Sequence, residues 1–214
     1  TLRSSSAASD VYKRQMDLIK LSSSQISNTI SDEKQINLFI TGVGNVGEEL
    51  LKQILKQKKP LKAKLNLCVK IIGISNSTKM IFNKNGINLE LWKSKLNDGV
   101  KANELLFKKT AKKLNLINSV FVDNTASEEI SNLYNDYLSQ SISVVTCNKI
   151  ACSNKLSNYQ NLIKLSIRHN CSFLYETNVG AGLPIIDTLK NLINSGDKIL
   201  SLIHISEPTR PYSI

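Results

Sequence analysis

The residues that could do chemistry in this sequence sit where apolar runs end. GVGNVG at 42–47 is a G-x-G-x-x-G set between a run of β-formers and an amphipathic stretch. In that context Gly42 allows a tight turn, Gly44 lets backbone approach a pyrophosphate, and Gly47 lets helix pack on strand. The helix N-terminus then offers N–H donors and positive potential to phosphate. Lys149 follows directly on SISVVTCN. A cation there would project beyond the carboxyl end of a strand, where it could polarise a carbonyl or steady a developing alkoxide. A solvated lysine in a lysine-rich chain is the competing reading. A second glycine turn, ETNVGAGLP at 176–184, needs a reason of its own, because the phosphate-binding glycines lie far upstream.

The end of the next apolar run bears on which dinucleotide would fit. An NAD-selective site usually places an acid there to hold the ribose 2′-hydroxyl. Here the run ends ISNSTK (74–79), with no carboxylate. Ser75, Asn76, Ser77, Thr78 and Lys79 offer hydroxyls, an amide and a cation, which suit a 2′-phosphate. NADP is the expected cofactor, with NAD or dual use as the alternative.

These groups need strands and helices to hold them. INLFITG (36–42) reads as a buried strand of a parallel sheet, and NVGEELLKQILKQ as a helix with Val46, Leu50, Leu51, Ile54 and Leu55 at helical spacing. LNLCVKIIGISNS (65–77), SVFVDNTA (119–126), SISVVTCN (141–148) and SFLYETN (172–178) predict further strands. Helices are expected over 89–97, 102–114, 127–140 with Ser127 as N-cap, and 156–170, and from Pro184 as a first helical residue. Strands alternating with helices imply βαβ units and right-handed crossovers. The expected class is α/β, a Rossmann-type doubly wound parallel sheet.

The two ends read differently from the body. Arg3, Arg14 and Arg210 lie in them, whereas Arg168 is the only arginine between Met16 and Ile199. DVYKRQ (10–15) can be encoded GAT GTG TAT AAG AGA CAG. The reverse complement of that DNA translates as LSLIHI, residues 200–205. One short DNA sequence, read on opposite strands, thus borders the body on both sides, as a transposon-end adaptor would. Segments 1–15 and 200–214 are therefore expected to be adaptor-derived and non-native. The body is then a fragment, with 16–35 a polar, serine-rich linker.

Composition narrows the partners. The net charge of +11 is lysine scattered along helical stretches, with no arginine cluster and no aromatic interleaving in the body. That pattern argues against nucleic acid. No apolar run is long enough to span a bilayer, so no membrane partner is expected. Cys68, Cys147, Cys152 and Cys171 show no CxxC and no metal-ligand spacing with histidine. Reduced thiols and a cytoplasmic location are the expectation.

LFITGVGNVGEELLKQI, GISNS with GINLELW, VFVDNTAS, SVVTCNKIA and LYETNVGAGLPIIDTLKNLINSGD together resemble homoserine dehydrogenase. The likeness is to the dehydrogenase half of bifunctional aspartokinase–homoserine dehydrogenases and spans about 36–199. It implies an NAD(P)-binding Rossmann domain at 36–177 and the start of a catalytic domain at 178–199. It implies NAD(P)-dependent interconversion of aspartate 4-semialdehyde and homoserine, on the route to threonine and methionine. An aspartokinase domain is expected upstream, and a homo-oligomer in the full-length protein. Carried over by motif, Gly42, Gly44, Asn45, Val46 and Gly47 hold the dinucleotide, and Thr125 and Ala126 lie by the nicotinamide. Lys149 matches the active-site lysine of the NK pair, and Cys147 departs from a proline common there. The second glycine turn matches a monovalent-cation site, usually sodium, with Glu176 and the backbone of Val179, Ala181 and Leu183 as oxygen ligands. Gly180 and Gly182 would let alternate carbonyls converge; a cation-free hinge is the alternative. The fragment alone is expected to be inactive. A dinucleotide-binding regulatory domain and a dehydrogenase for another amino-acid semialdehyde are the competing functions.

Overall fold

A computed structural model of the protein describes residues 34–180, 183–197 and 199. The segments expected to be adaptor-derived, most of the expected linker, and Ala181, Gly182 and Lys198 lie outside the described residues. Strands β1 (Lys34–Thr41), β2 (Leu67–Ser75), β3 (Lys79–Phe82), β4 (Val100–Lys101), β5 (Ser119–Asp123), β6 (Ser143–Thr146) and β7 (Phe173–Leu174) form one sheet. Its order is β4-β3-β2-β1-β5-β6-β7. β1 runs parallel to β2 on one side and β5 on the other, and β6 and β7 continue the parallel array. The chain therefore leaves β1 in one direction and returns to fill the other, which opens a crevice beyond the carboxyl ends of β1 and β5.

The helices are α1 (Asn45–Leu65), α2 (Trp92–Asn97), α3 (Glu104–Leu114), α4 (Glu128–Ser131), α5 (Tyr134–Leu138), α6 (Ile150–Ser153), α7 (Leu156–Arg168) and α8 (Ile185–Asn194). The period-two alternation of the strands sends successive side chains to opposite faces of the sheet. Ile36, Leu38 and Ile40 of β1 join Val120 and Val122 of β5 and meet Leu50, Leu51 and Ile54 of α1 in an aliphatic core. Phe39, Phe121 and Val144 face the other way, into an aromatic core with Phe107, Tyr134 and Tyr137. Phe121 and Tyr137 stack there with ring centroids 4.0 Å apart. Such a pair adds about 1 kcal/mol to its burial.

The structure differs from the expected elements in several places. β3 and β4 are antiparallel additions at one edge, so the sheet is mostly rather than wholly parallel. α1 continues through Pro60 to Leu65 instead of stopping near Gln57. Proline removes a hydrogen bond there at a cost of about 3 kcal/mol, yet Leu61 beyond it packs against the aliphatic core. The helix expected over 127–140 is broken into α4 and α5, each one turn long. β7 stops at Leu174, and Glu176–Asn178 form a 3-10 turn rather than more strand. α8 begins at Ile185, with Pro184 just before it. β1 begins at Lys34, within the last residues assigned to the linker.

Candidate functional site

The parallel strands end on one row of buried polar residues. Ser75, Thr41, Asp123 and Thr146 are neighbours across β2, β1, β5 and β6, and none is more than 1 % exposed. Everything expected to bind or react extends just beyond this row.

The glycine loop leaves β1 with its first N–H bonded to the Ser75 carbonyl at 3.0 Å. Gly42 has φ +81°. A β-carbon on it would lie 2.7 Å from Thr125 Cγ2 and 2.9 Å from the Asn124 carbonyl carbon. A β-carbon on Gly47 would lie 2.3 Å from the Gly42 carbonyl oxygen. The protein itself demands glycine at both places. Gly44 is different. It is exposed with φ −75°, which any residue adopts, and a β-carbon there would meet nothing within 4 Å. The space it leaves lies outside the fold, beside the start of α1, where the first helical N–H groups lack intrahelical acceptors. Gly44 precedes that start with no side-chain cap. Asn45 is exposed at the first turn, and Val46 packs partly against the aliphatic core. This cradle fits a pyrophosphate. Glu48, the acid of that turn, bonds Lys93 at 2.8 Å and Lys52 at 3.2 Å, and these two lysines hold its carboxyl below the usual range.

The residues after β2 are organised mainly by their own hairpin. The Ser75 hydroxyl donates to the Asn76 carbonyl at 3.1 Å. Asn76 Oδ1 accepts from the Thr78 N–H, the Thr78 hydroxyl and the Lys79 N–H. Lys79 Nζ donates to the Gly99 carbonyl at 3.1 Å, which turns it toward the edge strand. Ser77 and Thr78 are the exposed tip.

Beyond β5 and β6 lies a buried network that the sequence reading missed. Asp123 Oδ1 accepts from the Thr125 N–H at 2.7 Å. Its Oδ2 accepts from the Tyr134 hydroxyl at 2.5 Å and from Asn148 Nδ2 at 3.2 Å. Asn148 also donates to the Ser127 carbonyl at 2.8 Å and accepts from the Ile150 N–H at 3.1 Å. Burial, and then the Asp123 charge, push the Tyr134 hydroxyl well above the usual phenol range, so it stays a donor. Thr125 is held against the glycine loop, while Ala126 and Lys149 are exposed at the rim. The structure thus brings Gly42 and Thr125 into contact and sets Lys149 at the end of the adjacent strand. Cys147, in the place of the departure noted above, donates its backbone N–H to the Asp123 carbonyl at 3.1 Å. The sequence signal for this network is an apolar run ending in polar residues, as in VDNTAS and TCNK; which of these residues meet is set by strand register.

The second glycine turn is strapped to the same row. Thr177 Oγ1 donates to the Thr146 carbonyl at 3.1 Å, and Asn178 Nδ2 to the Asn148 carbonyl at 3.4 Å. Glu176, 5 % exposed, accepts from the Ile186 and Asp187 N–H groups at 2.9 Å each, one per carboxylate oxygen. It closes the start of α8. Gly180 has φ +74°, and Ile185 fills the space a β-carbon would need, its Cδ1 only 2.1 Å away. Val179 and Leu183 are exposed, and the Leu183 carbonyl accepts from the Ile185 N–H at 2.9 Å. Lys190 of α8 stands 4.5 Å over the Tyr175 ring, whose hydroxyl meets that of Tyr159 at 2.6 Å. Among the described residues no cluster of three or more His, Cys, Asp or Glu could hold a metal ion, and no helix is long and apolar enough to cross a membrane.

Comparison with known proteins gives a consistent answer. A family model described as the NAD binding domain of homoserine dehydrogenase matches residues 42–176. The bifunctional aspartokinase/homoserine dehydrogenase of Haemophilus influenzae is 39 % identical over 170 residues, 79 % of this chain and 21 % of that protein. The corresponding protein of Buchnera aphidicola is 40 % identical over 177 residues, covering 82 % and 22 %. The homoserine dehydrogenase of Schizosaccharomyces pombe is 37 % identical over 181 residues, covering 83 % and 48 %. The chain therefore spans about a fifth of the length of these bifunctional relatives. Among solved structures, a hyperthermophilic archaeal homoserine dehydrogenase in complex with NADPH superposes with TM-score 0.60 at 25 % identity, covering 75 % of this chain and 50 % of that one.

Proposed function

The chain belongs to the homoserine dehydrogenase family, and from that membership we propose that residues 34–180 hold NADP for the interconversion of aspartate 4-semialdehyde and homoserine. When bound, the dinucleotide would supply or accept the hydride at its nicotinamide ring. The chain's own residues bind and orient. Gly44 leaves room for the pyrophosphate, and the opening N–H groups of α1, from Asn45 to Gly47, donate to it. Thr125 and Ala126 border the nicotinamide end, and Lys149 offers its ammonium to the carbonyl oxygen of the substrate. The observation that carries this reading is Gly44, a glycine required by nothing in the protein and bordering the open start of a long helix.

NADP rather than NAD is supported by the lack of an acid at the end of β2 and by the exposed hydroxyls of Ser77 and Thr78. For the second glycine turn we propose a monovalent cation, sodium by family likeness, taken by Glu176 and the carbonyls of Val179, Ala181 and Leu183. Such an ion takes oxygen ligands from carboxylates and backbone carbonyls, which this turn supplies. Assembly into a homo-oligomer and fusion to an aspartokinase follow from the same likeness.

Titration of the 214-residue chain with NADPH and NADH at moderate salt tests the cofactor reading. NADPH is expected to bind the more tightly, by roughly tenfold, as one added charge-assisted hydrogen bond to phosphate would give. Tighter binding of NADH would overturn the preference, and no binding of either at millimolar concentration would overturn the site.

A further inference from the structure

The buried Asp123 carboxyl grips two loops at once. Its Oδ1 takes the N–H of Thr125, on the loop that touches the glycine turn. Its Oδ2 takes Asn148 Nδ2, from the residue before Lys149. The same Oδ2 takes the Tyr134 hydroxyl, and that hydroxyl also lies 2.7 Å from Thr146 Oγ1. Thr146 Oγ1 in turn accepts the Asn148 N–H at 2.8 Å. The two loops are tied twice, through the fully buried Asp123 and directly by the Asn148 Nδ2 bond to the Ser127 carbonyl at 2.8 Å. A small apolar residue would close the row at lower cost, since a buried carboxyl loses hydration that only donors can replace.

We infer that Asp123 is a positioning residue: it fixes Lys149 relative to the Thr125 loop, and so fixes the reacting end relative to the dinucleotide. It touches neither substrate nor cofactor, and it acts through Asn148. The inference rests on the assignment of Lys149 to the carbonyl oxygen. Misplacing a reacting group by a fraction of its bond length costs turnover while leaving ground-state binding nearly intact. Asp123 therefore governs kcat more than the affinity for either ligand.

Asp123→Asn separates the two grips. The carboxamide oxygen keeps the Thr125 N–H, and the amide nitrogen then faces the Tyr134 hydroxyl, which can accept because it has Thr146 Oγ1 to donate to. Asn148 Nδ2 cannot accept, so the Lys149 side loses its tie to Asp123 and keeps only the Asn148 bond to the Ser127 carbonyl toward the Thr125 loop. In the 214-residue chain, amide hydrogen exchange should speed up by roughly tenfold at Ile150, whose N–H rests on Asn148, with little change at Thr125. Leu38 and Ile71, at the sheet centre, should keep their rates. For turnover, residues 34–197 are placed in the Haemophilus influenzae relative in exchange for its matching segment. There Asp123→Asn should lower kcat about tenfold or more, with KM for homoserine and Kd for NADPH within about threefold.

Unchanged exchange at Ile150, uniform acceleration across the sheet, or a rise in KM at constant kcat would each overturn the inference. Asn148→Ala removes the bonds to Asp123, the Ser127 carbonyl and the Ile150 N–H while leaving the Thr125 grip, and carries the test if Asp123→Asn does not fold; it should give at least the same loss of kcat, and normal kcat would overturn the inference. Lys149→Ala in the same background separates the two levels. It should lower turnover by about a hundredfold. Normal turnover there removes the lysine from the reaction, whereas a large loss there beside a normal Asp123→Asn enzyme removes only the positioning role.

Discussion

The chain turns from strand to helix through glycine at two corners of the same sheet edge, and the two are finished in opposite ways. At the first, Gly42 to Gly47 pack backbone on backbone, and α1 starts after Gly44 with no side-chain cap. At the second, the Glu176 carboxylate takes two N–H groups of α8 and fills the position an anion would occupy. A helix start is attractive to negative charge in either case. Where the chain supplies that charge itself, the corner is a joint. Where it does not, the corner is a site. The glycines make the same distinction: Gly180 is fixed by Ile185 and Gly42 by Thr125, whereas Gly44 faces open space.

The contrast breaks most completely at Gly47. Alanine there would drive its β-carbon into the Gly42 carbonyl at 2.3 Å. Gly47→Ala should abolish NADPH binding and lower the melting temperature of the isolated chain together, by several degrees or more, as a forced backbone shift of about 1–3 kcal/mol would. Calorimetry beside an NADPH titration reads both; loss of binding with an unchanged melting temperature would mean that Gly47 serves the ligand rather than the packing.

Glu176→Gln acts on the other corner. The amide offers one acceptor and turns its NH₂ toward a main-chain donor, which should cost about 2 kcal/mol of stability. NADPH affinity should stay within about threefold, since the Glu176 bonds to Ile186 and Asp187 run to α8 and not to the glycine loop. A parallel fall in affinity would show that the corners are coupled. Added sodium should stabilise the parent chain more than this variant if the turn also holds a cation.

Alkaline pH should have the smallest effect, and again on one corner. Burial pushes the Cys152 thiol up to about 11, beside Asn178 and Lys190, and the Tyr159 hydroxyl up to about 12. Acids whose folded pKa is raised stabilise the fold fully below the unfolded value. That stability drains away as pH rises above it, here from about pH 9 for the thiol and pH 10 for the phenol. Protection of the α8 amides should therefore decline above about pH 9 before NADPH binding does. Simultaneous loss of the two would contradict the independence of the corners.

Sequence and structure agree best where one principle decides. INLFITG, SVFVD and SVVT are unbroken β-formers, and each is a strand of the parallel sheet. The G-x-G-x-x-G loop was equally legible, because its spacing is the geometry. KMIF was not read as a strand: it is only 4 residues long, and the turn before it is set by the Asn76 side chain rather than by glycine or proline. Lys79, read as a phosphate ligand, belongs to that strand and points to Gly99. The Asp123 network was invisible for another reason. Its members are separated by up to 25 residues and meet only through strand register. Glu176 was named as a cation ligand by family likeness; its bonds to the Ile186 and Asp187 N–H groups depend on how α8 folds back, which the local pattern does not express.

On the proposed reading, the first corner is a site because Gly44 leaves room for something outside the protein. Gly44→Ala tests it most directly, since the added methyl meets no protein atom within 4 Å and φ is unstrained. NADPH titration and thermal unfolding of the same 214-residue sample should show affinity lowered by about tenfold or more, with stability changed by no more than about 1 kcal/mol. Unchanged NADPH affinity in a folded Gly44→Ala chain would contradict the account.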